Sequence, residues 1–210
     1  MAQRSRRRDG LHNRAAAALA NIPGCMQKPI DARTETHHCV SDTVPDWSRE
    51  QKHWLDWDPS RSLLASLRSY QRHADGTGFA SAVIRKVAVF RHRFWSIATG
   101  AEIPINCRIA GGLLLPHPNG VVVHCDTVIG PNCLLFQQVT LGSTMDGSPV
   151  LAGHVDVGAG AKVLGAVTLG AHAKVGANAV VLIDVPSGAT AVGLPAKVIA
   201  KATQGAGAND

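Results

Sequence analysis

The sequence predicts a parallel β-helix of hexapeptide repeats preceded by a short α-helical region, and three observations carry that expectation. An aliphatic residue recurs every six positions: Ile103, Ile109, Leu115, then Val123, Ile129, Leu135, Leu141, then Val157, Val163, Leu169, Val175 and Val181. The fill between these rungs is small or turn-forming, as in Val157-Gly-Ala-Gly-Ala-Lys and Val175-Gly-Ala-Asn-Ala-Val. The residues before Ile103 carry helix start and stop signals instead. Helices repeat near 3.6 and strands at 2, so neither yields a strict six. A coil of three hexapeptides does, with one short strand and one tight corner per hexapeptide and the aliphatic side chain inward. Stacked coils bury a continuous column of Val, Ile and Leu.

The elements follow in order. Residues 1–45 mix Arg, Ala, Pro, Thr and His without periodicity and read as a disordered tail. Residues 46–100 form the helical region. Asp58-Pro59-Ser60 starts a helix that places Leu63, Leu64, Leu67 and Tyr70 on one face. Gly76 and Gly78 break the chain, and a second helix carries Phe79, Val83, Val87, Phe90, Phe94 and Ile97 as an amphipathic stripe. Arg85, Lys86, Arg91 and Arg93 lie outside that stripe as a solvated face, and Thr99-Gly100 ends the helix. Residues 101–201 are the β-helix and 202–210 a flexible tail.

The hexapeptide phase slips twice. Leu115 to Val123 is eight residues, so the corner widens around Pro116-His117-Pro118-Asn119-Gly120. Leu141 to Val157 is sixteen, which places a loop near Ser143 to Gly153. Insertions in a solenoid map to surface loops, often on the binding face.

The net charge of +6 is held unevenly, because sixteen of the 21 Lys and Arg precede Ile103. Aromatic residues are few and no nucleic-acid motif appears, so no nucleic acid is expected as a partner. Five cysteines without a CxxC pair point to free thiols in a reducing, cytoplasmic compartment. No apolar run approaches the length of a membrane span, and the Arg4–Ala20 stretch lacks the apolar core of a signal peptide. No membrane partner is expected.

His117 is the candidate for chemistry. It stands on the widened corner between two prolines that stiffen its backbone, and an imidazole suits general-base work near neutrality. Glu102 lies fifteen residues earlier, close to the eighteen of one coil, where a carboxylate can orient the imidazole. His117, His124, His154 and His172 could in principle supply zinc ligands, but they are spaced 7, 30 and 18 apart with no close pair, and no metal is expected. His154, placed in the second loop, and Gln137 are candidates for contact with substrate. Cys107 and Cys133 sit at small-residue positions and read as core packing.

Several segments together resemble the serine acetyltransferases, within the left-handed β-helix acyltransferases. They are Leu115-Pro-His-Pro-Asn-Gly-Val-Val-Val, Phe136-Gln-Gln-Val-Thr-Leu-Gly, Gly158-Ala-Gly-Ala-Lys-Val-Leu-Gly and Val192-Gly-Leu-Pro-Ala-Lys. The resemblance covers Asp58 to Lys201. It implies a left-handed coil, an exception to the usual right-handed crossover. It also implies a homotrimer, with a hexamer allowed, and acetyl-CoA as co-substrate in the groove between subunits. The family's catalytic His falls on His117 and its acidic partner on Glu102. CoA contacts fall near Gly142, Ser143, Thr144, Ala159, Ala177 and Lys197, and the serine-contacting Asp on Asp58. Backbone N–H groups near the second loop would face the oxyanion.

The departures concern the acceptor. Pro116 replaces the acidic residue before the catalytic His, and Gly147-Ser148 replaces an Arg-His pair in a shortened loop. These changes predict an acceptor pocket poor in charge. The resemblance therefore implies O-acetyl transfer to L-serine, with a sugar hydroxyl as the second acceptor, as in the acetyltransferases that accompany polysaccharide synthesis. A non-catalytic trimeric scaffold is the reading from another class, and intact His117 and Glu102 argue against it.

Overall fold

A computed structural model describes residues 40–52 and 56–199. The tails predicted over 1–39 and 202–210, with Cys25 and Cys39, lie outside the described residues. Residues 40–45, assigned to the tail by composition, are held against the coil. Asn132 Nδ2 donates to the carbonyls of Ser41 (2.7 Å) and Val44 (2.8 Å), and its Oδ1 accepts from Asp46 N–H (2.7 Å). The signal is not local in sequence: it lies in one asparagine about ninety residues away.

A 3-10 turn, Trp47–Glu50, is capped by Asp46. Helix α1 spans Pro59–Arg72, with Asp58 Oδ1 accepting from Arg61 N–H at 3.0 Å and Pro59 in the first turn. Leu63, Leu64 and Leu67 are buried as the spacing predicts. Buried Arg68 on the same helix forks onto both oxygens of Glu50 and donates to the Ile109 and Ala110 carbonyls. This ties the turn and α1 to the first coil. Helix α2 spans Phe79–Thr99 and ends on Gly100 at φ 66°.

The buried face of α2 is not its apolar stripe. Ala88, His92 and Thr99 are buried, whereas Phe79, Phe90 and Ile97 are 87%, 75% and 84% exposed. His92 joins the two helices to the coil, with Nδ1 at 3.2 Å from Ser66 Oγ and Nε2 at 2.7 Å from the Ile103 carbonyl. Small side chains let α2 close onto α1, and that face wins over the more hydrophobic one. Periodicity locates a stripe; it does not say which side the neighbour occupies.

Three parallel walls form the solenoid, which is left-handed. The first contains β1 (Arg108–Ile109), β3 (Val128–Ile129), β6 (Val150–Leu151) and β9 (Thr168–Leu169). The second contains β4 (Leu134–Leu135), β7 (Asp156–Val157), β10 (Lys174–Val175) and β12 (Thr190–Gly193), edged by antiparallel β13 (Ala196–Ile199). The third contains β2 (Val122–Val123), β5 (Thr140–Gly142), β8 (Lys162–Leu164) and β11 (Val180–Val181). Register stacks like on like: Ile109, Ile129, Leu151 and Leu169 in one column, Val123, Leu141, Val163 and Val181 in another. All twelve predicted rungs are buried.

The second slip is tighter than the spacing suggested. Leu151 is a further buried rung, six residues before Val157, so the loop is confined to 143–149. Buried Val185 and Ala191 continue the columns past Val181.

Candidate active site

The first slip builds the site. Leu114 bridges Leu134 in the second wall, and Glu102 bridges Val122 in the third, so Pro116–Gly120 spans the corner between those walls. The widened corner is fixed from both sides. Gly120 N–H donates to the Gly100 carbonyl below, and the Asn119 carbonyl accepts from Gln138 N–H above, each at 2.9 Å. Gly120 takes φ 69°, which glycine adopts without strain.

His117 is exposed on this corner and lines a cavity of about 630 Å³. Asp58 and Arg61 from the start of α1, Arg49 from the 3-10 turn, and Trp57 line the same cavity. The sequence anticipated His117 and Asp58 there. It missed the two arginines, and with them the charge of the pocket. Asp58 Oδ2 lies 3.4 Å from Arg61 Nε. Arg61 Nη1 donates to the Gln51 carbonyl (2.6 Å) and Arg49 Nη1 to the Asn132 carbonyl (2.9 Å). Arg49 is thus anchored through one nitrogen, and Arg61 through two, Nη1 on the Gln51 carbonyl and Nε beside Asp58. Arg61 had a signal in its place three residues after the capping Asp58. Arg49, reached through a folded-back turn, had none.

Glu102 stands one coil below Val122, which is on the strand that follows the His117 corner, with its N–H on the Val121 carbonyl at 2.8 Å. Its exposed carboxylate makes no hydrogen bond or ion pair with His117 among the described residues, and Glu102 does not line the cavity. Gln137 sits one coil above Asn119, and its side-chain carbonyl oxygen is buried without a partner among the described residues.

The CoA candidates fall at the two edges of the third wall and at the end of the coil. Ala159 and Ala177 continue the His117 corner upward, with Gly160 N–H on the Gln137 carbonyl and Asn178 N–H on the Ala159 carbonyl. Gly142, Ser143 and Thr144 leave the opposite edge. Lys197 is exposed on β13. Thr144 and Gly147 donate their N–H groups to each other's carbonyls at 2.9 and 3.2 Å, so this hairpin leaves those two donors unavailable to an oxyanion.

The four histidines weighed as zinc ligands occupy three corners. His117 stands alone and His124 lies beside Ser148 Oγ at 3.2 Å. His154 and His172 meet on the remaining corner, Nδ1 to Nδ1 at 2.7 Å. His154 is therefore not in the second loop. It holds φ 55° in a tight corner between β6 and β7, away from the His117 corner of the same chain. His124, Cys125 and Asp126 do converge, their ligand atoms within 4.8 Å of one another. Cys107 and Cys133 are buried free thiols, pushed up to about 12 and about 11 by desolvation first.

Comparison with known proteins defines the class first: the chain is similar to acyltransferases built on this coil. A serine acetyltransferase of Helicobacter pylori is 44% identical over 128 residues, covering 54% of this chain and 75% of that protein. One from Synechococcus elongatus is 44% identical over 107 residues, 49% of this chain and 44% of its own. Among solved structures, a serine acetyltransferase in complex with CoA superposes at TM-score 0.57 with 34% identity, over 68% of this chain and 58% of the other. A Neisseria gonorrhoeae serine acetyltransferase in complex with serine gives 0.58 and 31%, over 69% and 58%. No family model matches the chain. The chain belongs to the serine acetyltransferase family, although it spans less than half of the Synechococcus relative.

Proposed function

We propose that this protein is an acetyl-CoA-dependent O-acetyltransferase with L-serine as its acceptor. The observation that carries the reading is His117 on the rim of a cavity that also holds Asp58, Arg61 and Arg49. Relatives solved with CoA and with serine support it. In this reading Asp58 meets the ammonium of serine, and an arginine meets its carboxylate through charge-assisted hydrogen bonds. Gln137 offers a buried acceptor one coil above. His117 removes the proton of the serine hydroxyl as its oxygen attacks the thioester carbonyl carbon. The C–S bond then breaks, and the imidazolium returns the proton to the departing thiolate. Holding both substrates against one corner supplies much of the acceleration.

Glu102 orients His117 once the complex closes. Gly142, Ser143 and Thr144 act from one edge of the third wall, Ala159 and Ala177 from the other, with Lys197 at the end of the coil. That split suits a homotrimer in which each CoA lies between neighbouring subunits. The free cysteines support a reducing, cytoplasmic setting. A sugar hydroxyl is the second reading. It is favoured by Trp57, 77% exposed on the cavity wall, and by uncharged Pro116, Gly147 and Ser148.

The test is thiol release from acetyl-CoA with L-serine and with a panel of sugars, together with mass detection of the acetylated product. Serine-dependent release and O-acetylserine are expected, from a particle whose light-scattering mass is near three chains. Release only with sugars would replace the acceptor. No thiol release with any acceptor would leave the trimeric scaffold.

A further inference from the structure

Helix α2 carries its apolar stripe outward. Phe79, Val83, Val87, Phe90, Phe94 and Ile97 are 87%, 43%, 51%, 75%, 54% and 84% exposed. At 100° per residue these six fall within an arc of about 80°. Exposed Lys86 and Arg93 border one edge of that arc and exposed Arg91 the other. Trp57 extends the patch, its ring 5.5 Å from Trp95, which in turn lies 5.1 Å from Phe94. A contiguous apolar surface of this kind on a folded domain marks something that covers it.

Charge narrows the choice of occupant. Between Asp75 and Glu102 the chain has four Lys and Arg and no acidic residue. A second copy of α2 would set cations against cations along both edges of the seam. Residues 1–39 hold seven Lys and Arg against three Asp and Glu, so that segment brings the same sign. An anionic lipid surface matches both features, because the aromatic and aliphatic stripe reaches the acyl boundary while the bordering cations meet headgroup phosphates.

We propose that α2 is an interfacial helix that holds this protein on an anionic lipid surface. The helix lies on the bilayer, since no helix among the described residues is long and apolar enough to cross one. The stripe ends at Ile97, and the next residue, Ala98, lines the same cavity as His117. The lipid surface therefore stands beside the candidate active site. The inference is independent of which acceptor that site uses.

Co-sedimentation of the full chain with phosphatidylcholine vesicles, with and without phosphatidylglycerol, tests it. Binding is expected only with the anionic lipid. The variant Phe90→Asp/Phe94→Asp should lose at least about tenfold in vesicle affinity. Its melting temperature should fall only slightly, because Phe90 is 75% exposed and Phe94, 54% exposed, gives up only its edge contact with Trp95. Lys86→Glu/Arg93→Glu should weaken binding in the same direction. The proposal is overturned if the wild type ignores anionic vesicles, or if the double-Asp variant binds as the wild type does, which would assign binding to another segment such as residues 1–39. It is equally overturned if that variant fails to bind but also drops in light-scattering mass, since the stripe would then be a contact between copies of the chain.

Discussion

The imidazoles of His154 and His172 face each other across successive coils, Nδ1 to Nδ1 at 2.7 Å, with their rings at 76°. One nitrogen must donate and the other accept, so the contact holds one proton, not two. Both residues take positive φ, at 55° and 60°, because each stands at the tight position of its corner. Asp42 of the N-terminal segment approaches His172 Nε2 at 3.8 Å.

His154 and His92 make the fold sensitive to acid. Desolvation first, and then His172, Arg49 and Lys174, hold His154 below the ordinary imidazole value, with Asp156 opposing. Desolvation lowers His92 likewise, against hydrogen bonds to the Ile103 and Leu63 carbonyls. Above the ordinary value of 6.5 these groups are neutral in both states and cost nothing. As pH falls below it, the unfolded chain takes up protons first, and the folded state loses stability until the lowered pKa values are passed. The melting temperature should be flat from about pH 8 to 7 and fall toward pH 5. In the variant His154→Asn, which tolerates the positive φ, the slope should be shallower. A slope identical to wild type would remove His154 as its cause.

The buried ion pair between Arg68 and Glu50 should be the most damaging polar contact to break. Their side chains are only 8% and 7% exposed, and Glu50 Oε1 also accepts from Leu113 N–H at 3.0 Å. Arg68→Met leaves a buried carboxylate unpaired, which costs about 3–5 kcal/mol. Replacing both partners by Met should cost less than the sum of the two single changes, because no lone charge remains. Urea titration of the four proteins measures both numbers, and strict additivity would mean the two residues act separately.

The sequence was most legible where chemistry repeats. Each rung is set by a side chain that must point inward, so the period alone located Leu135 or Val163 without any knowledge of neighbours. The corner of His117 was legible because an insertion breaks that period. What escaped was whatever depends on distant packing: the outward stripe of α2, the Asn132 bonds to residues 41–46, and the entry of Arg49 into the cavity. Leu151 escaped because the four-residue hairpin before it hid the phase. The pairing of Glu102 with His117 was inferred from coil height. Height fixes the level of a side chain and not its direction, and no hydrogen bond or ion pair joins the two among the described residues.

His117→Ala should lower turnover by about 10²–10⁴ while leaving the melting temperature unchanged, since the imidazole is exposed and makes no hydrogen bond among the described residues. Glu102→Gln should cost less, because the role proposed for this group is to orient the imidazole rather than to transfer a proton. Turnover with acetyl-CoA, followed by thiol release, compares the two. A His117→Ala enzyme that keeps more than about a tenth of the wild-type rate would refute the base assignment.

The proposed acceptor cavity gives the last prediction, where the structure changes what the sequence implied. Pro116, Gly147 and Ser148 offer no charge, which on its own predicts weak serine binding. Arg61 and Arg49 bring cations into the same cavity as Asp58, so both charged ends of an amino acid have partners. Arg61→Ala should therefore raise the KM for serine with a smaller change in kcat, by about ten- to a hundredfold if a charge-assisted bond of about 1.5–3 kcal/mol is lost. Transfer to a sugar hydroxyl should be unaffected, because a neutral acceptor has no carboxylate to hold. Asp58→Asn retains a helix cap, so it should weaken serine use with little loss of stability. Pro116→Asp, which adds a second partner for the ammonium, should improve serine use more than sugar use. An Arg61→Ala enzyme with unaltered serine KM would show that this guanidinium serves Asp58 and the Gln51 carbonyl alone, and that the pocket was built for a neutral hydroxyl.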